Sequence, residues 1–218
     1  MSDTKHVNAY YIGVFGLSIT PICIFIAYML EPSYNPFLQT ISKLGVTDHG
    51  QYVFIIGAVM GGLSLIVFHY YYFKKLAQNE KLIEKARLFG IVSGIGLIGV
   101  GVIQDKPGIL FKSFHWLASV IYFVFTILLI YYFNSYVKKT DLSKKYTFLA
   151  KVGLIPIIMV VSYTGLSLLN EKITLFKFVF KINIIWQKLV VLSIIIWYLL
   201  FFYYIKKNKI LNFSKIKL

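Results

Sequence analysis

Five polar side chains from four separate stretches of this 218-residue chain could share a site: Ser42, Asp105, His115, Gln187 and Lys188. Lys188 supplies a fixed positive charge for a phosphate oxygen, and Ser42 and Gln187 supply hydrogen-bonding groups. In a partly dry pocket such contacts act more strongly than in water. His115 with Asp105 makes a pair able to hold and pass a proton. Lys188 and His115 stand out because ionisable groups inside or at the end of apolar segments usually face a bundle interior or a wet cavity. Blander readings stand beside these. The last apolar segment could begin near Leu189, leaving residues 172–188 as an amphipathic outer stretch, and His115 could simply bond a nearby carbonyl or Ser119.

A catalytic reading would make His115 the general base and Ser42 or water the nucleophile in lipid hydrolysis or transfer. The spacing does not carry it. The chain has no G-x-S-x-G elbow and no His-x-x-x-His pair, and Asp48, His49, Asp105 and His115 lack the spacing of zinc ligands. No catalytic residue, metal ligand or cofactor is therefore assigned, and an enzyme is the weaker reading. A transporter is weaker too, because the middles of the first, second, fourth and fifth apolar runs hold almost no ionisable residues for handing a substrate across.

The elements that must position these residues are legible in the composition. Of the chain, 58% is hydrophobic, 18% aromatic and only 14% charged, against roughly a quarter charged in a soluble domain. A water-soluble monomer is excluded. A membrane-crossing helix needs about 20 mainly apolar residues, and six runs qualify, at about 8–30, 51–73, 88–104, 114–134, 147–169 and 183–205. The fold class is all-α, a single polytopic membrane domain over residues 1–218 built as a six-helix transmembrane bundle. The first run is read as a retained span, since it is longer than a signal-peptide core and no small-residue cleavage site follows it. Glycines at 57, 61, 90, 94, 96, 99 and 101 let the second and third spans approach closely as a hairpin.

The first outer loop, residues 31–50, has structure of its own. Asn35-Pro36 is a helix start, Phe37, Leu38, Ile41 and Leu44 recur at helical spacing, and Gly45 suits a helix end. The spacing predicts a short interfacial helix over 35–45 that lids the bundle.

The formal charge is +15. Of the Lys and Arg residues, 15 fall in the N-terminus, the loops after the second and fourth spans, and the tail, against 6 in the alternate loops. Basic loops stay cytoplasmic, which places both termini inside a cell membrane and the five polar residues at the outer rim. The basic surface is then topology plus attraction to anionic lipid, with no nucleic-acid partner. Cys23 is the sole cysteine, so no internal disulfide exists.

Ser42-Lys43-Leu44-Gly45 after the Asn-Pro step, Phe114-His115-Trp116 opening the fourth span, and Trp186-Gln187-Lys188 near the start of the sixth resemble a prokaryotic six-span membrane family of unknown function. That family is related to the DRAM and GPI-remodelling-factor superfamily. The resemblance implies a role in lipid or lipid-anchor handling. The chain departs from it with Lys43 where relatives carry an acid and Lys188 where they carry arginine, so no carboxylate role is carried over to the first loop. The function expected is an outer-leaflet lipid-headgroup site formed by Ser42, Asp105, His115, Gln187 and Lys188, with membrane lipids as partners. The alternative is a structural or regulatory scaffold without its own ligand, partnered by a second copy or another membrane protein.

Overall fold

A computed structural model describes residues 2–76, 80–104, 109–139, 148–149, 151–162 and 177–207. The long apolar runs become helices because every backbone polar group in hydrocarbon must be satisfied within its own segment. These are α1 (Ser2–Leu30), α2 (Gln51–Leu76), α3 (Lys81–Val102), α4 (Ile109–Lys139) and α5 (Lys177–Lys207), with a 3-10 helix at Ile41–Val46 between α1 and α2. Residues 151–162 of the fifth expected run are also largely helical. No strand occurs among the described residues. Among the described residues five helices are long and apolar enough to cross a membrane, and apart from 148–149 and 151–162 the run at 147–169 lies outside them. α3, α4 and α5 begin about one to two turns before the apolar runs that announced them, because basic and aromatic residues extend each helix past the hydrocarbon.

α1 to α4 form an antiparallel series, each helix packed on the next. α2 and α3 approach closely, so that a side chain on Gly62 would strike the carbonyl of Gly94 and one on Gly94 the carbonyl of Gly62, and α3 meets α4 as tightly at Gly96, against the Tyr122 backbone. Backbone contact of this kind is available only to small residues and drives helix association where no hydrophobic effect operates. α5 lies against α1 and α2 through Tyr10, whose hydroxyl donates to the Phe202 carbonyl at 3.3 Å, and through Tyr198, which meets His69. Pro21 removes one backbone bond inside α1. The adjacent Thr20 hydroxyl lies 3.0 Å from the Gly16 carbonyl and 3.1 Å from that of Gly57 in α2.

This order collects the ends of the helices. The start of α1, the ends of α2, α4 and α5 and the start of α3 share one face, with Lys74, Lys81, Lys85, Lys138 and Lys206 exposed on it. The 31–50 loop, the end of α3 and the starts of α4 and α5 share the other. The core near the basic face is aromatic: Phe68, Phe73, Trp197 and Phe201 are each at most 1% exposed, and Trp197 stacks on Phe201 at 5.2 Å. A smaller cluster of Ala27, Tyr34, Leu44 and Phe54 sits under the loop.

The loop is not the single helix expected over 35–45. Asn35 does cap a turn, its side chain accepting from the Phe37 N–H while its own N–H donates to the Gln39 side chain, both at 2.9 Å. The turn then stops. Thr40 is extended, with φ −71° and ψ 156°, and the chain restarts as the 3-10 helix, which contains Gly45 rather than ending at it. The physical reason is competition for carbonyls. That of Gln39 accepts from Lys188 Nζ at 2.8 Å and the Tyr34 hydroxyl at 3.3 Å in place of a helical N–H, while that of Thr40, which the Tyr34 hydroxyl meets at 3.2 Å, accepts the Lys43 N–H at 3.1 Å as the first 3-10 bond.

Candidate functional site

α5 runs unbroken past Lys188. Its apolar stretch is Ile184–Lys206, so Lys188 stands a little over one turn inside it, and residues 177–188 form no separate amphipathic piece. Burying an ammonium there requires a partner, and the Gln39 carbonyl of the loop provides one. Among the described residues no carboxylate pairs with it. Gln187, the preceding residue, accepts from the Ile41 N–H at 3.3 Å. Two consecutive side chains of α5 thus hold two backbone groups of the loop, 146 and 149 residues away in sequence.

Beneath the loop is an apolar cleft of about 70 Å³. Phe54, Leu97, Tyr122 and Val191 contribute to its walls, while Ser42 and Gln187 are among its few polar groups. Ser42 shares its hydroxyl with that of Thr40 at 3.1 Å. Ser119 reaches the same cleft from α4. Above the loop lies a second, polar hollow of about 290 Å³, lined by Glu31, Ser33, Gln39, Lys43, Thr47 and Asp48 with Val46. The 3-10 helix divides the two, Ile41 and Ser42 facing the cleft and Lys43 and Val46 the hollow.

The structure therefore brings Ser42 and Gln187 onto one cleft, while Lys188, the next residue of α5, lines neither hollow and bonds the Gln39 carbonyl of the loop. His115 is at the same end of the bundle but lines neither hollow. Only 8% exposed, it joins two helix ends: Nδ1 donates to the Ile103 carbonyl at 2.6 Å, closing the end of α3 onto the start of α4. Ser119 in turn donates to the His115 carbonyl at 3.0 Å. Asp105 lies outside the described residues. No group of three or more His, Cys, Asp or Glu side chains that could hold a metal occurs among the described residues.

Two residues at this end carry more than their sequence context suggested. Tyr34 is 7% exposed and its hydroxyl is pushed up to about 12, chiefly by burial and secondarily by Tyr28, so it remains a donor to the loop carbonyls. Glu31, the residue after α1, is also 7% exposed. The Ser33 hydroxyl bonds its Oε1 and holds the carboxyl below its ordinary range. Backbone N–H groups of His49 and Ser33 favour the charged form further, against the opposing effect of burial. Its other oxygen, Oε2, is buried without a partner among the described residues. The only sequence signal for Glu31 was a lone acid closing an apolar run.

Apolar helices of this number and length, closed at one end by a strapped loop over a greasy cleft, define a polytopic helical membrane protein. A family model described as a protein of unknown function (DUF998) matches residues 14–204, well over half of the chain, and the chain belongs to that family. No curated protein and no solved structure matches it.

Proposed function

We propose that the protein is a six-span protein of the cell membrane, with both termini cytoplasmic, that binds the headgroup of a membrane lipid at its loop end, on the outer leaflet. The run at 147–169, helical over most of 151–162, is the remaining span in this reading. The observation that carries it is the apolar cleft under the loop, with Ser42 and Gln187 on it and the ammonium of Lys188 beside it without a carboxylate partner among the described residues. That combination suits an amphiphile: hydrocarbon against Leu97 and Val191, a phosphate at Lys188. Gln39 uses one of three ammonium hydrogens, which leaves two. Kinship with the DRAM and GPI-remodelling superfamily, suggested by the first-loop residues, points in the same direction.

Native mass spectrometry of the purified chain tests the proposal. Wild type is expected to retain phospholipid, and Lys188→Ala to lose most of it. Equal retention by the two proteins overturns the reading.

A second reading, a scaffold without a ligand, is favoured by the bonds that Gln187 and Lys188 make to the loop backbone. A second copy or another membrane protein is then the partner. Under it, Lys188→Ala loosens the loop and leaves the bound lipids unchanged.

A further inference from the structure

We infer that the polar hollow above the loop takes a primary ammonium group, so that the headgroup held at this end is a phosphoethanolamine. The inference rests on the headgroup reading above and names its chemical class.

Glu31 carries the argument. It lines the hollow, is more than nine-tenths buried, and keeps Oε2 without a donor among the described residues. A buried acceptor left unmade is costly, and a charged one more so. Two of the other polar groups of the hollow already have partners within the loop. The Gln39 side chain accepts from the Asn35 N–H, and the Thr47 hydroxyl donates to the Leu44 carbonyl at 3.0 Å. Two carboxylates, Glu31 and Asp48, face the single ammonium of Lys43, so the lining carries an excess negative charge. What completes it is a cation that also donates hydrogen bonds. A primary ammonium has three N–H groups, whereas a trimethylammonium has none. A bare divalent cation such as calcium needs six to eight oxygens, more than the four that two carboxylates supply.

Placement supplies the other half. Gln39 lines the hollow with its side chain and holds Lys188 Nζ with its carbonyl at 2.8 Å. The cation-seeking hollow and the phosphate-seeking lysine flank one residue, and a two-carbon ethanolamine bridge joins just such a pair of opposite charges.

The test offers the full chain in nanodiscs equal amounts of phosphatidylethanolamine, phosphatidylcholine and phosphatidylglycerol, with retained lipid counted by mass spectrometry. Wild type is expected to prefer phosphatidylethanolamine over phosphatidylcholine about tenfold, the effect of one charge-assisted hydrogen bond. Glu31→Gln is expected to abolish that preference while leaving phosphatidylglycerol retention unchanged, and Asp48→Asn to weaken it. Equal retention of the ethanolamine and choline lipids by wild type overturns the inference and needs no variant to fold. If all lipids depend on Lys188 but none on Glu31, the ammonium inference falls and the headgroup reading stands. If none depends on Lys188, both fall. Soluble O-phosphoethanolamine separates the sources: a thermal shift from it, with none from phosphocholine, shows that the headgroup suffices without its chains. Equal shifts from the two, or a shift from calcium alone, overturn the inference.

Discussion

The two ends of the bundle solve the same problem in opposite ways. Near the basic face, polar groups lie within a solid aromatic core, where the Trp197 indole N–H is buried without a partner among the described residues. His69 is fully buried, with Nδ1 donating to the Leu65 carbonyl at 2.7 Å, Nε2 facing the Tyr198 hydroxyl at 3.3 Å, and Phe73 stacked on the ring. At the loop end the side chains are smaller, the backbone leaves the helical register, and two hollows open on either side of Ile41–Val46. A histidine, a lysine or a hydroxyl in an apolar run is thus no guide to a site by itself. The distinction is whether its partners fill the surrounding space, as they do around His69, or bridge across it, as Gln187 and Lys188 do.

The contrast can be broken most forcefully at Trp197. Truncation to alanine in the solid half is expected to cost about 3–5 kcal/mol, read by denaturant unfolding in mixed micelles. A cost below about 1 kcal/mol would mean that this half is not close-packed. Gly90→Ala comes next. Its new methyl would collide with the His69 ring, and overpacking of this kind costs about 1–3 kcal/mol. The same assay should show the loss, and Gly90→Ala combined with His69→Ala should recover part of it. At the loop end, Gln187→Leu removes the bond to the Ile41 N–H. The expected penalty is only about 0.6 kcal/mol, but hydrogen exchange over the 3-10 helix should quicken, while α2 near His69 stays protected.

The smallest effect is acid sensitivity. Because the Glu31 carboxyl titrates below its ordinary value of 4.5 when folded, its contribution is present above that value and fades as pH falls below it. Limited proteolysis of residues 31–50 is expected to accelerate in that acid range for wild type. In Glu31→Gln that pH dependence should be absent.

The spans were readable in sequence because lipid imposes one requirement, a long unbroken apolar run with internally paired backbone, and α1, α2, α3, α4 and α5 each satisfy it. That Ser42 and Gln187 reach the same end of the bundle followed from topology alone. The form of the loop did not. Asn35, Pro36 and the apolar spacing after them promise one helix, and nothing local reveals that Tyr34 and Lys188 will claim the Gln39 carbonyl that would have continued it. Glu31 was invisible for a related reason. A carboxylate at the end of a span looks solvated until the fold covers it, and its unpartnered oxygen is a property of the packed loop. His115 looked like chemistry because its bond to Ile103 depends on how α3 ends.

The 3-10 helix Ile41–Val46 is the common wall of the two hollows. On the proposed reading, a chain wedged under Ile41 in the cleft would lift the same short strap whose other side frames Glu31 and Asp48, and a head seated above would press on it in return. Occupancy above and below would then be linked through this one short helix, and whatever free energy the head lent to the tail, the tail would return to the head in equal measure.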